Sequence, residues 1–290
     1  MTIDGLVVVD KAAGWTSHDV VAKLRGVLGT KKVGHSGTLD PDATGVLLVG
    51  VGTVTRLLRF LTALPKSYTG EVVFGTATST LDASGEVTAT FDMAGVTLAD
   101  VRAAARALTG DILQVPPMVS AVKVGGQRLH ALARAGVEVE RAARPVTVSR
   151  FDVEATGDPL VFAIDVSCSS GTYIRSLAAD LGAALGGGAH LRNLRRTAIG
   201  SFTVDAAVPI ERVSGDSLLA PADAVRDYPA VGVDDDVADA VAHGKVLERS
   251  VLGVDGDGPW AVLDAGGRLL AVYEAHRGST VKPAVVIPPR

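Results

Sequence analysis

A single cysteine, Cys168, stands in a chain of 290 residues. No intrachain disulfide can form, and a thiolate-rich metal site is excluded. Cys168 lies in the strand-like run Val166-Ser167-Cys168-Ser169, where a free thiol behaves as a small buried hydrophobe rather than a nucleophile. Long apolar runs are also missing. Stretches such as residues 45–51 and 181–185 fall far short of the ~20 residues that a bilayer-spanning helix needs. The first residues show no basic-then-apolar leader pattern, so the chain is expected in the cytoplasm, away from membranes. Gly50-Val51-Gly52 lacks the third glycine of a dinucleotide loop, and Gly-Lys-Ser/Thr occurs nowhere. The six histidines, among them His35, His130 and His190, are too scattered for a zinc spacing. Neither a cofactor nor a metal is expected.

What is present is a globular composition, 47% hydrophobic and 21% charged, without a long polar tract. The length suits one large domain and a smaller one. The net charge of −4 argues at first against a nucleic-acid ligand, but it is unevenly distributed. Residues 1–204 hold 20 Lys and Arg against 18 Asp and Glu, whereas residues 205–290 hold 8 against 14. The acidity belongs to the tail. Lys31-Lys32 and the group Arg192, Arg195 and Arg196 are candidates for phosphate contact, although such short clusters also occur as solvated faces.

Residues 3–9 form an apolar run that reads as a buried strand. Ser17 is a candidate N-cap for a helix over residues 18–28, with Val20, Val21, Leu24, Val27 and Leu28 at helical spacing. Val46 to Val51 reads as a strand, and Val54 to Leu64 as a helix placing Leu57, Leu58 and Leu61 inward, ended by Pro65. Lys66 to Gly75 begins another strand. Thr97-Leu98-Ala99-Asp100 has capping-box spacing before a helix that Gly110 stops. Prolines extend residues 114–123, and a helix is expected around Leu129 to Ala135. Val146 to Val153 and Leu160 to Ser167 pair around Gly157-Asp158-Pro159. A helix then carries Ile174, Leu177, Leu181 and Leu185 on one face. Arg175 falls beside that face at the helix start, where positive charge is unfavourable unless an anion compensates it. Ile199 to Val204 is strand-like. Pro221 to Pro229 is the expected linker, Asp234 to Ala242 a short helix, and Trp260 to Leu263 with Arg268 to Tyr273 a hairpin.

Residues 34–45, Gly-His-Ser-Gly-Thr-Leu-Asp-Pro-Asp-Ala-Thr-Gly, are too rich in glycine and proline for a regular helix or strand. They read as an ordered loop that carries Asp40 and His35, or as a turn with solvated carboxylates. Other candidates fall away. Ser17-His18-Asp19 are sequence neighbours and cannot converge as a hydrolase triad. Ser120 and Lys123 have the spacing of a serine-lysine acylase but lack its companion motifs. Asp40-Pro41-Asp42-Ala43-Thr44 matches the Asp-x-Asp-x-Thr of Mg-dependent aspartyl phosphotransferases, but does not follow an apolar strand.

Residues 34–45 closely resemble the catalytic loop of the bacterial tRNA pseudouridine synthases of the TruB family, Gly-His-x-Gly-x-Leu-Asp-Pro-x-Ala-x-Gly. The resemblance covers most of residues 5–204. It runs through Leu6 to Lys11, Gly14, Thr16-Ser17, Lys66, Tyr68, Gln114, Pro116-Pro117, Ser120-Ala121, Lys123, residues 171–175 and Leu194-Arg195-Arg196. It departs at His130, where tyrosine is common, and at Phe74, where leucine is usual. The resemblance implies an α+β fold, with a mixed, mainly antiparallel central sheet, flanking helices and an active-site cleft. Residues 1–228 would form the catalytic domain and residues 229–290 a small β-rich, PUA-like RNA-binding domain.

The implied reaction turns uridine into pseudouridine in the T loop of tRNA, at position 55, on a base taken out of its stack. Asp40 would be the attacking carboxylate, Arg175 its partner, and Tyr68 the stacked ring implicated in late proton removal. Tyr173 and Leu194 would wall the pocket, and His35 would contact nucleotides around the flipped base. Lys11, Lys31 and Lys32 are weaker candidates for phosphate contacts. A monomer acting on the T arm without a protein partner is expected. The alternatives are a noncatalytic tRNA-binding or folding protein, or the phosphotransferase.

Overall fold

In the computed structural model, residues 3–288 are described apart from 121, 122, 130, 131, 133, 134 and 138. His130 and most of the helix expected around residues 129–135 therefore lie outside the described residues. The chain divides into two compact units, each discontinuous in sequence. One comprises Met1–Asp40, Val46–Thr62 and Gly200–Arg290, and the other Pro41–Gly45 and Ala63–Ile199. No described helix is long and apolar enough to cross a membrane.

In the first unit, the apolar run becomes the strand Gly5–Lys11, between Thr44–Val51 and the short Val208–Pro209. The following helix, Ser17–Val27, starts one residue earlier than expected. Thr16, not Ser17, is its N-cap: Asp19 N donates to the Thr16 hydroxyl at 3.1 Å, and Thr16 N donates to the Asp19 carboxylate at 2.9 Å. This reciprocal box satisfies two backbone donors and leaves the Ser17 hydroxyl available elsewhere. Val20, Val21 and Leu24 pack with Val7, Val9, Leu47, Val49 and Ile210 in one core.

The segment expected to be loop throughout is a hairpin. Val33–Ser36 pairs antiparallel with Thr44–Val51, from Val33 opposite Val51 to Ser36 opposite Leu48. Only residues 37–43 are irregular. The pairing of these strands outweighs the low strand preference of Gly34 and Gly45. The helix expected from Val54 begins as a 3-10 turn, Gly52–Leu57, and becomes α-helical over Leu58–Ala63.

The tail has a core of its own, built on Val241, Leu252, Trp260, Val262, Leu270, Tyr273 and Val281. Its five strands run in the order Ala230–Gly232, Trp260–Leu263, Leu269–Ala275, Thr280–Val286, Leu247–Glu248. The expected hairpin and the helix Asp235–Ala242, capped by Asp234, are both present. Residues 221–229 are packed rather than free: Ala224 and Val225 are buried, and the Tyr228 hydroxyl donates to Phe60 O at 2.8 Å.

The second unit is an antiparallel run of Ala189–Ile199, Lys66–Phe74, Val161–Cys168, Arg144–Ala155 and Gly110–Gln114. Thr44 and Gly45 pair with Arg195 and Arg196 in parallel, which makes the sheet mixed. Lys66–Phe74 alternates strictly, burying Lys66, Tyr68, Gly70, Val72 and Phe74 on one face. Leu98–Ala107, with the expected capping box on Thr97, packs against Arg144–Ala155, and Ile174–Ala184 packs against Ala189–Ile199. The strand expected at Ile199 to Val204 is present as the short Phe202–Thr203, which pairs with a longer strand that sequence did not suggest, Ala189–Ile199; the two are separated by Gly200 at φ +53°.

Candidate active site

The irregular connection opens at Gly37, with φ +76°. Leu39 is buried, and both its backbone groups are held by one hydroxyl: Leu39 N donates to Ser17 Oγ at 2.9 Å, and Ser17 Oγ donates to Leu39 O at 3.3 Å. The serine released from capping thus pins the peptide before Asp40, which is itself half-buried. Pro41 and Asp42 are exposed and Ala43 is buried. Asp42 is solvated, as its position beyond the pinned turn requires. Gly45 has φ +100°, and a Cβ there would lie 2.1 Å from Arg196 O. No side chain fits at that position.

Arg175 is one residue into the helix Ile174–Ala184 and only 5% exposed. Its guanidinium donates from Nη1 to Thr80 O at 2.9 Å and from Nη2 to Val119 O at 2.8 Å, with Nε 3.5 Å from an Asp82 carboxylate oxygen. A cation buried at a positive helix terminus is doubly unfavourable, and this carboxylate and these two carbonyls offset that cost. Asp82 is itself fixed. Its Oδ1 accepts from the Thr80 and Ser84 hydroxyls, each at 2.6 Å. Asp82 and Thr80 were not identified from sequence. The local turn is legible in Thr80-Leu81-Asp82-Ala83-Ser84, but its partner Arg175 is remote in the chain.

Tyr68 lies in the middle of Lys66–Phe74 and is 7% exposed. Next to that strand, the pairing of Ala189–Ile199 shifts register between Arg192 and Arg195. Asn193 there adopts φ +53°, and its amide and Arg192 Nε both donate to Glu71 Oε2, at 3.0 and 2.5 Å. Leu194 sits in this bulge, half-buried, with its Cα 3.6 Å from the position of a Cβ on Gly70. The bulge re-aims a side chain that regular pairing would leave in the strand's alternation. Two buried cations lie nearby. Arg196 is 1% exposed, so the expected phosphate contact does not hold for it. Burial and the neighbouring Arg196 push the Lys66 ammonium down to about 8. Burial raises the Cys168 thiol to about 11, which makes it the inert hydrophobe expected.

His35 is half-buried on Val33–Ser36, with its ring edge-on to the exposed His18 at 6.2 Å between centroids. Tyr173 is half-buried at the N-cap of Ile174–Ala184. Lys31 and Lys32 are exposed and free to meet a solvent-borne phosphate. Lys11 is corrected: it is fully buried and donates to Ala12 O at 3.0 Å and Trp15 O at 2.7 Å. Its ammonium staples its own loop instead of facing RNA. Among the described residues, no group of three or more His, Cys, Asp and Glu is arranged to hold a metal.

Similarity to known proteins extends over nearly the whole chain. Residues 25–174 match the model of the TruB family pseudouridylate synthase N-terminal domain. Residues 175–228 match the tRNA pseudouridylate synthase B C-terminal domain, and residues 228–288 the tRNA pseudouridine synthase II C-terminal domain. The tRNA pseudouridine synthase B of Rhodococcus jostii is 48% identical, over 98% of this chain and 94% of that protein. That of Nocardia farcinica is 48% identical over 99% and 94%. Among solved structures, a Cbf5-Nop10-Gar1 complex matches with TM-score 0.75 and 26% identity, over 99% of this chain and 84% of that one. The mixed sheet, the pinned loop and this full-length similarity lead to one conclusion: the chain belongs to the TruB family of pseudouridylate synthases.

Proposed function

We propose that the protein isomerises uridine to pseudouridine at position 55 in the T loop of tRNA, with Asp40 as the attacking carboxylate. The carrying observation is the intact family loop at residues 34–45, whose Leu39 peptide is fixed by Ser17 immediately before Asp40. The reaction detaches a base, rotates it and rejoins it to the ribose through carbon. It requires an ionised, positioned carboxylate and a pocket for an extruded ring. Arg175 pairs with Asp40 in this reading, favouring the charged carboxylate and aiming it. Tyr68 stacks on the base and takes part in proton removal. Tyr173 and Leu194 wall the pocket, His35 contacts the nucleotides displaced with the base, and Lys31 and Lys32 meet phosphates. The enzyme acts as a monomer on the T arm, and residues 229–290 add RNA contacts.

Incubating the purified protein with unmodified tRNA in EDTA, then mapping pseudouridine, tests this reading. Product confined to position 55 is expected. Product at another uridine would overturn the site assignment. Phosphoryl transfer that needs Mg and is abolished by EDTA, with no pseudouridine formed, would favour the phosphotransferase alternative, and tRNA binding without product a noncatalytic protein.

A further inference from the structure

The helix Ile174–Ala184 starts without a cap of its own, since Tyr173 at its N-cap position makes no side-chain cap hydrogen bond. The missing function comes from another strand. Gln114, at the end of Gly110–Gln114 and 2% exposed, closes a reciprocal pair with one residue's backbone. Tyr173 N donates to Gln114 Oε1 at 2.7 Å, and Gln114 Nε2 donates to Tyr173 O at 3.1 Å. Two further bonds follow the same path: Ser176 Oγ donates to Val115 O at 3.0 Å, and Arg175 Nη2 to Val119 O at 2.8 Å. Every residue from Tyr173 to Ser176 except Ile174 is thus tied to residues 114–119. Ile174 is held by burial instead.

We propose that Gln114 is a positioning residue: it sets the first turn of this helix and, through it, the aim of Arg175 and Tyr173. A carboxamide serves both groups at once, because it sets an acceptor against one residue's N–H and a donor against the same residue's C=O. The two arms are not equivalent. Tyr173 O also accepts from Leu177 N at 3.1 Å, as a helical carbonyl does, so it keeps a partner if Nε2 is lost. Tyr173 N–H has no helical acceptor, so loss of Oε1 orphans it at a half-buried site. Gln114→Glu keeps the acceptor for Tyr173 N–H and loses the donor to Tyr173 O, the arm whose loss leaves that carbonyl its helical partner. Gln114→Leu removes both arms. This inference rests on the reading above, in which Arg175 and Tyr173 serve pseudouridine formation.

The test compares single-turnover pseudouridine formation at saturating tRNA, tRNA affinity, and amide exchange in the peptide covering residues 173–177. For Gln114→Leu, a rate constant lower by roughly 30-fold or more is expected, with affinity within about threefold, because misaimed groups act on the chemical step. Gln114→Glu should recover to within about fivefold of wild type. Val148→Ala, a cavity in the buried Val148 of Arg144–Ala155, supplies a destabilised control whose saturated rate is unchanged. Gln114→Leu should also exchange faster at residues 173–177. A wild-type rate in Gln114→Leu, or an equal rate loss in Val148→Ala, would overturn the proposal. If the wild type forms no pseudouridine, the functional reading fails separately. Exchange at residues 173–177 then decides alone: an unchanged rate in Gln114→Leu rejects the role, and a faster one retains it.

Discussion

Ser17 and Lys66 show how single side chains acquire roles that their sequence neighbours do not suggest. Ser17 reads as a helix cap, yet Thr16 takes that role and Ser17 fastens Leu39 instead. Ser17→Ala orphans the buried Leu39 N–H, and an unfolding free energy lower by about 1–3 kcal/mol is expected in a urea titration. A single-turnover rate reduced by roughly tenfold should accompany it, since the peptide before Asp40 is released. Unchanged values for both would remove Ser17 from the account. Lys66 carries a pKa lowered from 10.5 to about 8, chiefly by burial and then by Arg196. Between those values the unfolded chain binds more protons than the folded one, so this group's destabilisation is complete below about pH 8 and shrinks as pH rises. Relative to Lys66→Met, wild-type stability should gain about 1 kcal/mol from pH 7 to pH 9. A pH-independent difference would contradict that environment. Cys168 titrates in the opposite sense at higher pH, which is why the comparison stops at pH 9.

Elements are legible where one periodicity dominates. The helix Leu98–Ala107 announces itself through Thr97 and Asp100, and the tail hairpin through Asp264-Ala265-Gly266-Gly267. The strand Ala189–Ile199 is obscured because Leu194, Arg195 and Arg196 interrupt its alternation, and the interruption is a bulge centred on Asn193 at φ +53°. A propensity argument does not see the partner, Glu71, that holds it. The loop at residues 34–45 was half legible: its motif identifies the family, while its glycines hide the strand pairing at both ends. Asp82 stayed invisible because its meaning lies in a distant arginine. Gly45 marks a close approach of two strand backbones. Gly45→Ala combines φ +100° with a Cβ 2.1 Å from Arg196 O, so a loss of at least about 3 kcal/mol is expected. Thermal melting checks this, and a wild-type midpoint would show that the two strands separate freely.

At the scale of the whole molecule, the first compact unit contains two cores that share no residue: one around Val7, Leu24 and Val49, the other around Trp260, Val262 and Tyr273. Among the described residues, the tail and residues 52–63 are joined by polar, exposed bonds, Arg59 with Glu274 at 2.9 Å and Arg56 Nη1 to Val286 O at 2.7 Å. Exposed pairs of this kind contribute little, about 0–1 kcal/mol each. Removing residues 229–290 should therefore weaken tRNA binding more than it slows single-turnover chemistry at saturating tRNA. Rates that fall as far as affinity would show that the tail supports the catalytic loop. The central claim is that Asp40 performs the covalent step on a bound uridine. It is tested most directly by Asp40→Asn, with pseudouridine formation and tRNA binding measured on the same preparation. The expected result is no detectable product with binding within about threefold of wild type, because the substitution removes the nucleophile and leaves the surface contacts in place. Pseudouridine formed by Asp40→Asn at a rate near that of wild type would contradict the account.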